Sequence, residues 1–282
     1  MSDAIGRPFW KMTGSGNDFV FFDSRPSQDS PDPLENTADI AAICASHLGV
    51  GADGVVFISE SAGACFGIRY YNADGSRATL CGNASLCAAQ SAVRLGLASR
   101  EQIFHFNSDA GLIAASIDRD GAATIRLAPV TELEPDAREA VTTGEIRAGF
   151  AVVGVPHLVV LVSDVAAIDV AARGRILRHG ALRAPAGANV NFVSAGASSG
   201  EWQMRTYERG VEAETYGCGT GSVAAAACLL AWNLAPASAA VRLKTASGRT
   251  LTVRIPNGAD AAYSELSGEG RVVFDGVLQA VR

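Results

Sequence analysis

The chain has 282 residues, a formal net charge of −6 and a pI near 5.3. With 48% hydrophobic and 18% charged residues, it holds enough apolar surface for a sizeable core and too much for an intrinsically disordered chain. The acidic balance and the lack of any basic run exclude nucleic acid and acidic membrane surfaces as expected partners. No stretch approaches a bilayer span of ~20 apolar residues, and residues 1–10 hold no apolar run of signal-peptide length, so the cytoplasm is the expected compartment.

Short β-branched and aromatic runs predict strands at 18–22, 54–58, 66–71, 102–106, 111–117 and 123–127. Past a polar stretch they continue at 150–153, 157–162, 189–193, 202–207, 239–243, 251–255 and 271–274. Helices are expected over 37–47 with Asn36 as cap, 83–95 ending near Gly96, 165–177 capped by Asp164, and 219–232 ending before Pro236. Strands dominate without strict alternation with helices, which points to an α+β class rather than a simple doubly wound sheet. The acidic stretch 129–144, with Pro129, Glu132, Glu134, Pro135, Asp136 and Glu139, marks a domain junction at its start, giving domains over 1–127 and from 128 onward. Segments 24–33 and 194–200 read as surface loops.

Six cysteines are present. A chain with this apolar fraction needs no disulfides, and a reducing compartment leaves the thiols free. The spacings Cys81 to Cys87 and Cys218 to Cys228 match neither a zinc knuckle nor a redox Cys-x-x-Cys pair, so no metal is expected. Cys44, Cys65, Cys87 and Cys228, set among small or apolar neighbours, read as buried small hydrophobes.

Cys81 and Cys218 stand apart. Cys81-Gly82-Asn83-Ala84-Ser85-Leu86-Cys87 and Cys218-Gly219-Thr220-Gly221-Ser222-Val223-Ala224 lie 137 positions apart, each running from Cys-Gly into a helix. The first turn of a helix has unpaired N–H groups and a partial positive charge, which favour thiolate over thiol. The same groups bind a carboxylate, and Gly82 and Gly219 let an anion approach the backbone. This combination suits removal of a proton next to a carboxylate, with oriented amides stabilising the carbanion. A base on one face of the carbon and an acid on the other inverts the centre, Cys81 and Cys218 exchanging the two roles, with no cofactor. Singly, each cysteine would read as a packing residue at a helix start; the matched pair favours chemistry.

Other constellations are weaker. Thr13-Gly14-Ser15-Gly16-Asn17-Asp18 reads as a hairpin turn that could also project Asn17 into a pocket. Gly219-Thr220-Gly221-Ser222-Val223-Ala224 fits Gly-x-Gly-x-x-Ala but lacks the acidic partner ~20 residues on, so no nucleotide cofactor is expected. Tyr207-Glu208-Arg209-Gly210, with Glu212 and Glu214, is a solvated loop or a clamp in which Arg holds a carboxylate and Glu an ammonium. His157 is a structural histidine by default, or a group that assists proton movement. A Cys–His nucleophile of the thiol-hydrolase kind would leave one Cys-Gly segment unexplained.

These motifs, with His47-Leu48-Gly49-Val50-Gly51-Ala52-Asp53-Gly54, Tyr71-Asn72-Ala73-Asp74-Gly75-Ser76, Pro156-His157 and Ala188-Asn189-Val190, resemble the diaminopimelate epimerase family over nearly the whole chain. The resemblance implies two pseudo-symmetric α/β domains, each wrapping strands around a central helix, with the site in the cleft between. It implies that the last strand, 271–282, returns to the first domain, leaving 128–270 as the second. It implies cofactor-independent interconversion of LL- and meso-diaminopimelate, on the route to lysine and peptidoglycan, by a homodimer. Cys81 and Cys218 would be the catalytic thiols, with His157 and Glu208 near the chemistry. Asn17, Asn72, Gly82, Asn83, Asn189, Glu208, Arg209, Gly219 and Thr220 would bind the amino-acid substrate. The chain departs from the family pattern at Ala84, Leu86, Val155 and Gly54, which bears on the distal substrate contacts. The alternatives are a racemase of another amino acid on the same fold and a non-catalytic amino-acid-binding protein.

Overall fold

The first half of the chain forms β1 (Arg7–Gly14), β2 (Asn17–Asp23), α1 (Thr37–Cys44), β3 (Gly54–Ser59), β4 (Phe66–Asn72), β5 (Arg77–Ala78), α2 (Gly82–Arg94), β6 (Ile103–Ser108), β7 (Gly111–Ile117) and β8 (Ala123–Leu127). The second forms β9 (Thr131–Glu134), β10 (Glu145–Val153), β11 (Val155–Val162), a 3-10 turn (Val165–Ala167), α3 (Val170–Arg178), β12 (Asn189–Ala195), β13 (Glu201–Glu208), β14 (Ala213–Thr215), α4 (Gly219–Ala231), β15 (Val241–Lys244), β16 (Thr250–Arg254), β17 (Ser264–Gly268) and β18 (Arg271–Leu278). This computed structural model describes residues 6–25, 31–138, 141–180, 185–236, 240–256 and 262–281. Glu139, the expected strand start at 239 and part of the 24–33 loop lie outside them. Backbone contacts divide the chain into one unit of Met1–Ile125 with Gly268–Arg282 and a second of Arg126–Ser267.

Within each unit the strands pair by the same scheme. In the first, β1–β2 is antiparallel, β2–β3 parallel, β3–β4 and β4–β5 antiparallel, β4–β6 parallel, and β6–β7–β8 antiparallel. In the second, β10–β11 is antiparallel, β11–β12 parallel, β12–β13 and β13–β14 antiparallel, β13–β15 parallel, and β15–β16–β17 antiparallel. An antiparallel strand from outside the repeat closes each edge: β18 on β1, and β9 on β10. The repeat carries a residue register. Val20 pairs with Val55 and Val55 with Tyr71, while Leu158 pairs with Val190 and Val190 with Tyr207 in the matching ladders, and one residue earlier Phe19 pairs with Gly54 as His157 pairs with Asn189. His157 therefore stands in the place of Phe19, Asn189 of Gly54 and Glu208 of Asn72.

Each sheet curls about its second helix. α2 and α4 each span 13 residues, ten of them buried, so they are covered on nearly every side, as a helix enclosed by strands is. Their sheets bury both faces. Phe9, Phe22, Phe57 and Tyr71 pack with Ile40 and Ile43 of α1, and Leu158, Val160, Phe192 and Tyr207 pack with Val170 and Leu177 of α3. The central strands consequently read as continuous apolar runs rather than alternating ones. Both helices end alike. Gly96 (φ 69) and Asn233 (φ 58) sit just past the end, left-handed. Leu97 N–H reaches Ala92 O at 2.8 Å and Leu234 N–H reaches Leu229 O at 2.9 Å, a Schellman closure in each case.

The expected fold class holds: strands dominate and each unit wraps a central helix. Three expectations are corrected. The helix expected over 165–177 is two elements. The Asp164 carboxylate accepts from Ala166 N at 2.9 Å to start the 3-10 turn, and Asp169 accepts from Ala172 N at 3.0 Å to start α3; two acidic caps compete and both win. Strands β5, β9, β14 and β17 escaped notice because they are short and mostly polar. Cys65 is exposed rather than buried, because its loop lies outside β4 and burial begins only at Phe66.

Candidate active site

In the first unit, Cys81 is the N-cap of α2, in extended conformation (φ −132°, ψ 117°) and partly accessible. Gly82 and Asn83 form the first helical turn. The β1–β2 hairpin packs against that turn. Ser15 (φ 52) and Gly16 (φ 102) occupy both turn positions with positive φ, the type I′ geometry that suits a two-residue hairpin. Asn17 thus projects at the start of β2, where its Oδ1 accepts from Asn83 Nδ2 at 2.7 Å and its Nδ2 donates to Asp53 at 2.9 Å. Asp53 also accepts from Asp18 N–H at 3.1 Å, and its own N–H donates to the Asp18 carboxylate at 2.9 Å. Asn72, at the end of β4, donates to Ser76 Oγ at 3.0 Å.

In the second unit, Cys218 caps α4 with the same backbone (φ −115°, ψ 115°). Its sulfur accepts from Gly221 N–H at 3.4 Å and lies 3.6 Å from Thr220 Oγ1. Thr220 Oγ1 is 3.0 Å from Nε2 of His157, which is fully buried. Burial, with a smaller push from the Arg209 charge, lowers the His157 pKa from 6.5 to about 3, so the ring is neutral at physiological pH. Asn189 Oδ1 accepts from Arg209 N–H at 2.8 Å and its Nδ2 donates to Pro156 O at 3.4 Å, which holds the Glu208–Arg209 corner against β12. Glu208 accepts from Thr215 Oγ1 at 2.5 Å.

The structure thus gathers Cys81, Gly82, Asn83 and Asn17 in one cluster, while Asn72 ends β4, which β3 separates from the strand of Asn17. It gathers Cys218, Gly219, Thr220 and His157 in another, beside Asn189, Glu208 and Arg209. Two further acids of the charged stretch are committed elsewhere. Glu214 is gripped by Arg205 through two bonds of 2.7 Å, and Glu212 pairs with Arg178 at 3.1 Å. The other buried thiols are inert by environment: burial pushes Cys44 and Cys228 up to about 12 and raises Cys87 well above its ordinary value.

A model of the family described as "Diaminopimelate epimerase" matches residues 9–131 and 149–274, spanning both units. The chain belongs to the diaminopimelate epimerase family. A diaminopimelate epimerase of Gemmatimonas aurantiaca is 44% identical over 96% of this chain and 98% of its own length. One from Chlorobaculum tepidum is 34% identical over 95% and 99%. Among solved structures, a hydroxyproline epimerase of Agrobacterium vitis superposes with a TM-score of 0.67 at 18% identity, over 99% of this chain and 95% of that one. At that identity the likeness speaks to the fold alone.

Sequence reasoning missed one polar residue of the second cluster. Asn191, two positions after Asn189 on β12, is fully buried and meets His157. The two-residue period of a strand puts both asparagines on one face, and that spacing was the available signal.

Proposed function

We infer that this chain is an amino-acid epimerase that interconverts LL- and meso-diaminopimelate, on the route to lysine, by moving a proton off and onto the α-carbon without a cofactor. What carries the reading is the doubled framework. A cysteine caps a buried helix in each unit at the matching position, in a chain of the diaminopimelate epimerase family. A sulfur at a helix N-terminus gains stabilisation as thiolate. One thiolate takes the α-hydrogen as a proton, the electron pair stays on carbon beside the carboxylate, and the other thiol delivers its proton to the opposite face. After one turnover the two cysteines have exchanged protonation states, and the reverse reaction restores them. The α-carbon is a far weaker acid than a thiol, so the site must stabilise the carbanion. The N–H groups of Gly82 and Asn83, and of Gly219 and Thr220, are the proposed donors to the carboxylate that shares this charge.

Asn17, Asn72, Asn189, Glu208 and Arg209 are the proposed side-chain contacts to the remaining polar groups of the substrate. Glu208 accepts from the Thr215 hydroxyl within its own unit, and its carboxylate is the proposed partner of an ammonium. His157 is proposed to serve the chemistry through its hydrogen bond to Thr220 rather than by titrating, since its pKa near 3 leaves it neutral throughout the working range. The proposed assembly is a homodimer and the proposed compartment the cytoplasm. Among the described residues no helix is long and apolar enough to cross a membrane.

The test is deuterium wash-in at the α-carbon in heavy water, run on LL- and meso-diaminopimelate and a panel of other amino acids. Exchange with diaminopimelate alone is the expected result. Exchange with a different amino acid moves the substrate assignment, and no exchange with any leaves a binding protein. Cys81→Ala and Cys218→Ala should each abolish epimerisation; near-normal turnover in either variant refutes the two-thiol mechanism.

A further inference from the structure

Asn191 lies on β12 directly beneath the first turn of α4, with no solvent access. A buried primary amide must place two donors and one acceptor, and its orientation follows from what it meets. Leu158 O can only accept, and it lies 3.3 Å from the Asn191 nitrogen. The amide is therefore set with Nδ2 toward Leu158 O and toward His157 Nδ1 at 3.3 Å, and with Oδ1 toward the Thr206 hydroxyl at 3.0 Å. His157 Nδ1 accepts from that amide. In a neutral imidazole the single ring proton then sits on Nε2, from which it donates to Thr220 Oγ1 at 3.0 Å. A hydroxyl that accepts there keeps its own proton for another partner, and the Cys218 sulfur is 3.6 Å away. With the Gly221 N–H at 3.4 Å, the sulfur gains two donors, an arrangement that favours its anionic form.

The helix is shaped for this contact. Gly221 carries no side chain, and a Cβ there would fall 2.3 Å from Asn191 Oδ1. The first unit supplies an internal comparison. By the strand register and the cysteine spacing, Val56 stands in the place of Asn191, Phe19 of His157, Asn83 of Thr220 and Ala84 of Gly221. The helix-terminal glycine, the buried asparagine and the histidine occur together in one unit and are replaced together in the other.

We propose that Asn191 is a positioning residue for Cys218: its amide holds the His157 ring in the Nε2–H tautomer, and that ring turns the Thr220 hydroxyl to donate to the Cys218 sulfur. Asn191 acts through two intermediaries and touches neither sulfur nor substrate. The proposal rests on the epimerase reading only for the use to which Cys218 is put; the hydrogen-bond chain and its measurements need no substrate.

The first measurement is the tautomer of His157 by long-range proton–nitrogen correlation on protein labelled with 15N-histidine, assigned with His157→Gln. The expected pattern is a protonated Nε2 and a bare Nδ1; a proton on Nδ1 overturns the proposal. The second is alkylation of Cys218 by iodoacetamide at neutral pH, followed peptide by peptide. Losing a donor to a charged acceptor lowers the thiolate population about tenfold, and the greater basicity of the sulfur returns roughly half of that on a logarithmic scale. Asn191→Leu and Thr220→Val should each slow Cys218 about threefold while Cys81 keeps its rate, and Thr220→Ser should restore it. Unchanged Cys218 alkylation in Thr220→Val, or equal slowing at Cys81, rejects the chain. If Asn191→Leu does not fold, the tautomer of the wild-type protein and the Thr220 pair decide the matter. A protein inert toward diaminopimelate that passes both measurements keeps the proposal and loses the epimerase reading, and an active epimerase with the other tautomer does the reverse.

Discussion

Gly221→Ala puts the fit between α4 and β12 to a direct test. At an ordinary helical position alanine should stabilise by about 1 kcal/mol over glycine. Here the new Cβ would lie 2.3 Å from Asn191 Oδ1, 3.1 Å from its Cγ and 3.2 Å from the Cys218 Cβ. Asn191 cannot retreat without giving up Thr206, Leu158 and His157. Overpacking of this kind costs about 1–3 kcal/mol, and each buried hydrogen bond lost adds about 1 kcal/mol. The balance is a net loss of about 1–3 kcal/mol. Urea unfolding followed by far-ultraviolet circular dichroism reads it, with Asn191→Val and the double variant completing a cycle. Asn191→Val destabilises by itself, because it strands His157 and Thr206. The double variant recreates the alanine and valine that stand at the matching positions of the first unit, Ala84 and Val56, and it should be less damaged than the sum of the singles by about 1–2 kcal/mol. A Gly221→Ala protein as stable as wild type, or strict additivity, would refute the steric argument.

Three further outcomes follow from the buried groups. His157 has a folded pKa of about 3 against an ordinary 6.5; the unfolded chain binds a proton below that ordinary value and the folded one does not, so this group lowers stability as pH falls from about 6.5 toward 3 and has no effect above. The loss by pH 5 is about 2 kcal/mol, and His157→Gln should flatten the pH dependence of urea unfolding between pH 7 and 5 by that amount; an unchanged slope would contradict the neutral buried ring. Burial alone would raise the Glu35 pKa, but hydrogen bonds from Arg69 (2.5 and 2.6 Å), the Asp32 N–H and the Tyr71 hydroxyl hold it below the usual carboxylate value. Its contribution is therefore present above that value and lost as pH falls through the depressed one. Glu35→Gln should cost about 3 kcal/mol at pH 7, and a calorimetric scan showing an unshifted transition would argue against it. Cys65 is the exposed thiol outside the two helix caps, while Cys44, Cys87 and Cys228 are buried. In native protein treated with iodoacetamide, peptide mass mapping should find Cys65 modified and those three intact; early labelling of Cys228 would mean that α4 opens.

Much of this architecture was legible in the chain because its signals are local. The Cys-Gly starts, the caps at Asn36 and Asp164, the stop at Gly96 and the Ser15-Gly16 turn each act within a few residues, and each marks a boundary found in the fold. What escaped depends on distant partners. β5, β9 and β14 carry little β-propensity of their own and are strands because neighbours offer open edges. Asn191 was hidden because its spacing from Asn189 marks only a shared strand face, while the partners that give it a role, His157, Leu158 and Thr206, come from other strands. The apolar run of the central strands had the opposite effect, since burial on both faces erased the alternation that would have told inner positions from outer ones.

The pairing of β18 with β1 carries a consequence for synthesis. β1, at residues 7–14, is translated long before its partner at residues 271–278. Everything the second unit requires, residues 126–267, has been translated before that strand exists. Translation therefore completes the later-encoded unit before the earlier one, and until β18 is made β1 keeps an open hydrogen-bonding edge, the kind that invites pairing with a neighbouring nascent chain. Arrival of residues 271–278, rather than emergence of the first half, is the moment at which that hazard closes.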